Sequence, residues 1–177
     1  MTLSAAAQRF LAGPILSEID DDARLALSRS LREHEATEGT ILIAEGKPND
    51  RLWFLIEGSA TVVRRGQDGD RPIARLDAPG IFGATTFFRP TPATVSIRAA
   101  SAVALLTLDH ASHNQLRLES PRAAEALALA TVRVLAERFD LIDQRVHEYI
   151  AAYSPDHPRS TEWSAFRARL FEEPNII

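Results

Sequence analysis

Gly80 and Gly83 bracket the apolar pair Ile81-Phe82, and Thr85 and Thr86 follow directly after Ala84. Glycine lets a backbone turn sharply and come close to a small anion. Successive threonines offer hydroxyls and N–H groups for an anion-binding nest or a helix start. The chemistry of this spacing is anion capture. Arg89 brings a guanidinium into the same loop, where its plain alternative is a solvated surface arginine. Pro90 and Pro92 stop any helix. From Ala93 the residues alternate, with Val95, Ile97 and Ala99 on one face and Thr94, Ser96 and Arg98 on the other, which predicts a strand.

Bond-breaking chemistry finds little support. His34, His110, His113, His147 and His157 are dispersed, and only His110 and His113 share a helical face. Two such histidines without a third ligand are a weak metal signal. Asp20, Asp21 and Asp22 lack the ligand set of a calcium loop and read as a helix cap with first-turn carboxylates. No nucleophile elbow, phosphate-binding Walker loop or zinc-protease motif is present. The absence of cysteine removes disulfides, thiolate metal sites and cysteine nucleophiles. No catalytic residue, metal or cofactor is expected.

The anion-binding segment needs a scaffold, and the flanking sequence predicts one built mainly of strands. Helices are expected in residues 1–33, first over Ser4 to Leu11 and then after the aspartate cap. Residues 34–119 read as short strands broken by the turns K-P-N-D, R-G-Q-D-G-D-R-P and D-A-P-G, with the anion-binding segment at 80–99, a pattern that suits a sandwich or barrel. Trp53 and Phe54 are core candidates, with base stacking a lesser role for Trp53. Residues 120–153 form one long helix, with Ser120 as N-cap, Pro121 at its first position and Ser154 before Pro155 at its end. Val132, Leu135, Phe139, Ile142, Val146, Tyr149 and Tyr153 recur at three-four spacing, the seam of a left-handed coiled coil. In that register Arg138 and Asp143 would pair between the helices of a parallel dimer. A second row, Leu127, Val134 and Leu141, suits packing on the barrel. Residues 154–177 form a tail whose short helix carries Trp163, Phe166 and Leu170, either docked on its own domain or offered to a partner.

With 177 residues and 45% hydrophobic content the chain holds one well-buried core. A net charge of −4 argues against nucleic acid as the main partner. The N-terminus lacks the blocks of a signal peptide, and no apolar run approaches membrane-spanning length, so a soluble cytoplasmic protein is the expectation.

Taken together, the segment F-G-A-T-T-F-F-R-P-T-P-A-T-V-S-I-R-A, the glycine-punctuated strands T-E-G-T-I-L-I-A-E-G and R-L-W-F-L-I-E-G-S-A-T-V-V, and the later strand A-V-A-L-L-T-L-D resemble the cyclic-nucleotide-binding domain family of catabolite activator protein and protein kinase A regulatory subunit type. The resemblance covers roughly residues 15–150, and its glycine spacing, with Gly39, Gly46 and Gly58 at turn positions, is moderately specific. It implies a fold that is mainly β with flanking helices: a double-stranded β-helix (jelly-roll) barrel, closed by two helices of which the second is long. It also implies a ligand site at Phe82, Gly83, Ala84, Thr85, Thr86, Arg89, Ala93 and Thr94. Family members carry F-G-E, whose glutamate accepts the ribose hydroxyl, and P-R-A-A, whose arginine grips the cyclic phosphate. Ala84 and Ala93 stand at those two places, while Thr94 falls where some members place a phosphate-contacting hydroxyl. Hydrogen bonds to charged groups contribute about 1.5–3 kcal/mol each, so losing both weakens cyclic nucleotide binding by roughly two to four decades. The function implied is a non-enzymatic regulatory protein, a homodimeric interaction scaffold with impaired cAMP and cGMP binding. The alternative is a sensor of a cyclic nucleotide or another anion that signals through the C-terminal helices. No DNA-reading winged helix is expected within residues 154–177.

Overall fold

Short polar caps set the first helices. Ser4 Oγ accepts from the Ala7 N–H at 3.2 Å and starts α1 (Ala5–Leu11); a 3-10 turn follows at Pro14–Leu16. Asp20 Oδ1 accepts from the Ala23 N–H at 2.7 Å and starts α2 (Asp21–Ser30), whose first-turn Asp21 and Asp22 suit the helix dipole. The computed structural model describes residues 3–153 apart from Glu18, Gln67 and Asp68, with the backbone alone for 149–153, together with Ala165. Trp163, Phe166 and Leu170 lie outside the described residues.

Strands then follow: β1 (Arg32–Ala36), β2 (Ile41–Ile43), β3 (Arg51–Glu57), β4 (Ser59–Gly66), β5 (Gly69–Asp77) and β6 (Gly80–Phe82). A single-turn helix, α3 (Ala84–Phe88), interrupts them before β7 (Ser96–Ala99) and β8 (Val103–Asp109); α4 (His110–Glu119) and α5 (Pro121–Tyr153) close the order. The strands form two antiparallel four-stranded sheets, in the orders β1-β8-β3-β6 and β2-β7-β4-β5. This is a jelly roll with flanking helices and a long C-terminal helix, as the sequence predicts.

The core lies between the sheets. Trp53, Leu55, Phe82, Val103 and Leu105 from the first sheet meet Ile43, Ala60, Ile97 and Ala99 from the second. The other face of the first sheet is buried too. Leu52, Phe54, Ile81, Leu106 and Leu108 are almost fully covered, and Phe10 of α1 meets Phe54 edge-on at 5.8 Å between ring centroids. That double burial explains why β3 reads as the unbroken apolar run Leu52-Trp53-Phe54-Leu55 rather than as an alternation.

The chain divides into two compact units, residues 1–134 and 135–177. Both sheets belong to the first. Within it α5 buries a face of Ala123, Ala124, Leu127, Ala130 and Thr131. In the second unit Phe139, Leu141 and Ile142 are exposed.

Candidate functional site

Gly83 is the pivot of the site. Its φ of 77° is left-handed, and a Cβ there would sit 3.0 Å from the Arg51 carbonyl oxygen, from Asn49 Nδ2 and from Trp53 Cδ1. Only glycine meets both demands at little cost. As the residue before α3, Gly83 sends the chain from β6 into one helical turn, and its carbonyl accepts from the Phe87 N–H at 3.0 Å.

Asn49, within the K-P-N-D turn, holds this pivot in place. Its Nδ2 donates to the Arg51 carbonyl at 2.7 Å and to Thr86 Oγ1 at 3.0 Å, with a longer approach of 3.4 Å to the Gly83 carbonyl. Its Oδ1 accepts from Trp53 Nε1 at 3.0 Å. Thr86 in turn donates to the Gly83 carbonyl at 3.0 Å. The Thr86 hydroxyl is therefore spent inside the fold. Trp53 stacks on Phe82 with centroids 5.8 Å apart and planes 7° from parallel, and the Arg51 guanidinium lies 6.0 Å from the Trp53 ring centroid.

The remaining residues of the segment divide by exposure. Ala84 and Ala93 are each only 4% exposed, and Ala93 belongs to the apolar cluster between the sheets. Thr85, Arg89 and Thr94 lie at the surface. Arg89 has no ion-pair partner among the described residues. Methyl groups thus stand on the inner side, and the polar groups still available stand outside. The strand expected from Ala93 begins later, at Ser96. Both backbone groups of Ala93 are taken by the turn before β3: its N–H donates to the Lys47 carbonyl at 2.9 Å, and its carbonyl accepts from the Gly46 N–H at 2.7 Å.

His110 and His113 share a face as expected, and that face packs on α3. His110 stacks on Phe87 at 4.4 Å and 3°; His113 meets Phe87 edge-on at 5.4 Å and Phe88 at 5.9 Å. Burial pulls the His113 pKa below its ordinary value, helped by the nearby charges of Arg117 and His110. His34, on β1, also has a lowered pKa, through burial and then the charges of Arg51 and Arg32, and its Nε2 is buried without a hydrogen-bond partner among the described residues. Among the described residues no group of three or more His, Cys, Asp or Glu gathers as metal ligands.

On α5 the expected seam residues Val132, Phe139 and Ile142 are 60%, 54% and 61% exposed, while Leu135 and Val146 are half-buried. The side chains of Tyr149 and Tyr153 lie outside the description. The second row does not act as one unit. Leu127 is fully buried, Val134 half-buried and Leu141 half-exposed.

Comparison with known proteins identifies the family. Residues 33–120 match the family described as "Cyclic nucleotide-binding domain", and through that segment the chain belongs to it. A CRP-like cAMP-activated global transcriptional regulator of Mycobacterium tuberculosis is 30% identical over 125 residues, which is 70% of this chain and 54% of that protein. The chain therefore spans about half the length of that relative. The N-terminal domain of a transcriptional regulator from Streptomyces coelicolor aligns with a TM-score of 0.61 and 30% identity over 73% of this chain and 92% of that one. A cyclic nucleotide-binding domain from Methylobacillus flagellatus aligns with a TM-score of 0.70 at 20% identity, covering 89% of each chain, and shares the fold. No helix among the described residues is long and apolar enough to cross a membrane.

Proposed function

We propose that this chain is a non-enzymatic regulatory protein whose barrel no longer grips cyclic nucleotides in the family's manner, and that it works as a dimeric scaffold for another protein. The observation that carries this reading is the burial of Ala84 and Ala93 at 4% exposure each. The groups that would receive a ribose hydroxyl and a cyclic phosphate are methyls, and one of them is part of a closed apolar cluster. The exposed Val132, Phe139 and Ile142 on α5 support pairing with a second copy, and the net charge of −4 favours a protein over a nucleic acid as the further partner.

Titration calorimetry with cyclic AMP and cyclic GMP tests this. The expected result is affinity roughly two to four decades below that of a domain holding both charged groups. Saturable micromolar binding would reject the scaffold.

A sensor is the second reading, and it is favoured by Arg89, which is exposed and has no ion-pair partner among the described residues. An anion held by Arg89 and the first-turn amides of α3 would act by having different affinities for two arrangements of the α5 helices. The same titration, extended to cyclic dinucleotides, separates the two readings.

A further inference from the structure

Away from the cassette-like segment, a cavity of about 360 Å³ opens where the last turn of α2, the first residue of β1 and helix α4 come together. Arg29 and Arg32 both line it. Neither has an ion-pair partner among the described residues. Two arginines without such a partner in the wall of one concave site offer an anion receptor, because a guanidinium is a fork of donors matched to phosphate or carboxylate oxygens.

Part of the remaining wall accepts hydrogen bonds. The Ser30 hydroxyl donates to the Ala26 carbonyl at 3.2 Å, which leaves its oxygen lone pairs for a ligand. The Ser112 N–H donates to Asp109 Oδ1 at 2.7 Å. Gln115 Nε2 donates to Glu119 Oε1 at 2.8 Å, so the Gln115 carbonyl oxygen and the second Glu119 oxygen are acceptors. A bare anion would satisfy the arginines and be repelled by Glu119. The wall calls for a ligand that is anionic at one end and carries hydroxyl donors at the other. The volume lies near the lower end of the range for small-molecule sites, on the order of 300–1,000 Å³, which suits a sugar phosphate and is tight for a dinucleotide.

We propose that this cavity binds a small hydroxyl-bearing phosphate monoester, with the phosphate between Arg29 and Arg32 and the hydroxyls donating to Glu119 and Gln115. Ser120, also in the wall, is the break between α4 and α5: its N–H donates to the Leu116 carbonyl at 2.8 Å and its carbonyl accepts from Ala123 and Ala124. An occupant therefore ties the α2–β1 corner to the start of α5.

Titration calorimetry of the full chain with ribose 5-phosphate, inorganic phosphate and ribose is the test. Ribose 5-phosphate is expected to bind saturably, inorganic phosphate more weakly and ribose not at all. Arg29→Gln with Arg32→Gln should weaken ribose 5-phosphate by roughly tenfold or more, whereas Arg64→Gln on β4, away from both sites, should bind it as the parent does. Absence of saturable binding overturns the proposal, as does phosphate binding as tightly as its ester. Loss in Arg89→Gln with retention in the double variant also overturns it, by placing the anion at the other site. Should the double variant not fold, the parent decides alone: the backbone amide resonances of Gln115 and Ser120 must shift on adding ribose 5-phosphate, and unmoved resonances refute the site.

Discussion

Asn49 shows how one side chain can organise a ligand segment without touching a ligand. Its carboxamide satisfies the Trp53 indole N–H, the Arg51 carbonyl and the Thr86 hydroxyl together. Asn49→Ala leaves a part-buried donor and acceptor unmet, so it is expected to lower unfolding stability by about 1–3 kcal/mol, read as a drop in urea midpoint at unchanged slope. The two alanines lead to a different expectation. Arginine at Ala93 alone would put a cation against Trp53 and Phe82 in the inter-sheet cluster, where an unpaired charge is costly. The Ala84→Glu, Ala93→Arg variant should therefore melt below the parent without ligand. Millimolar cyclic AMP should raise its Tm, because a ligand bound only by the folded state stabilises that state, and should raise the parent's Tm by less. If the nucleotide changes neither melting curve, the pocket has altered in shape as well as in charge.

Among the elements, α3 meets α4 through two histidine rings, His110 stacked on Phe87 and His113 edge-on to it. His113 is held neutral by burial, with Arg117 and His110 adding to the effect, so its folded pKa lies below 6.5. Below that value the unfolded chain binds a proton more readily than the folded one. The contribution is thus complete above pH 6.5, falls as the pH drops beneath it, and is exhausted once the folded pKa is passed. His113→Phe keeps an aromatic ring and removes the proton. Urea unfolding at about pH 7.5 and 5.5 should show a smaller loss on acidification in the variant than in the parent. His34 shifts in the same direction and is present in both proteins, so the difference reports His113. The elements themselves were largely legible in the sequence. Gly39, Gly46 and Gly58 marked turns because all three have positive φ, 85°, 76° and 82°, and at Gly58 a Cβ would run into the Ala102 carbonyl. Asp20 as a cap and Pro121 as the first residue of α5 were equally local signals. What local pattern could not carry was pairing at a distance. Asn49 reads as a turn residue because Gly83 and Thr86 lie 34 and 37 positions away. The delayed start of β7 depends on Ala93 bonding to Gly46 and Lys47 in a distant turn, and the significance of Ala84 and Ala93 came only through the family resemblance, since alanine has no signature of its own.

For the molecule as a whole, the decisive question is whether assembly needs a ligand. A scaffold dimerises regardless of nucleotide; a sensor changes its assembly or its helix arrangement when the site fills. Ile142 is the best probe. In the proposed seam it takes a d position, and it is 61% exposed in the single chain. In a monomer its replacement would be close to neutral, since exposed substitutions away from special features stay within about 0.5 kcal/mol. In a coiled-coil dimer Ile142→Arg places two cations at the facing layer and desolvates both. Sedimentation velocity at tens of micromolar should therefore give the parent a mass of twice 19.5 kDa, with or without cyclic AMP, and the variant a mass of 19.5 kDa. Circular dichroism melting should show the barrel transition of the two proteins to agree when both are measured at concentrations where the parent has dissociated, which separates lost pairing from lost folding. A monomeric parent, or a variant that still sediments as a pair, removes the seam from the account; a parent that pairs only when cyclic AMP is added turns the scaffold into a sensor.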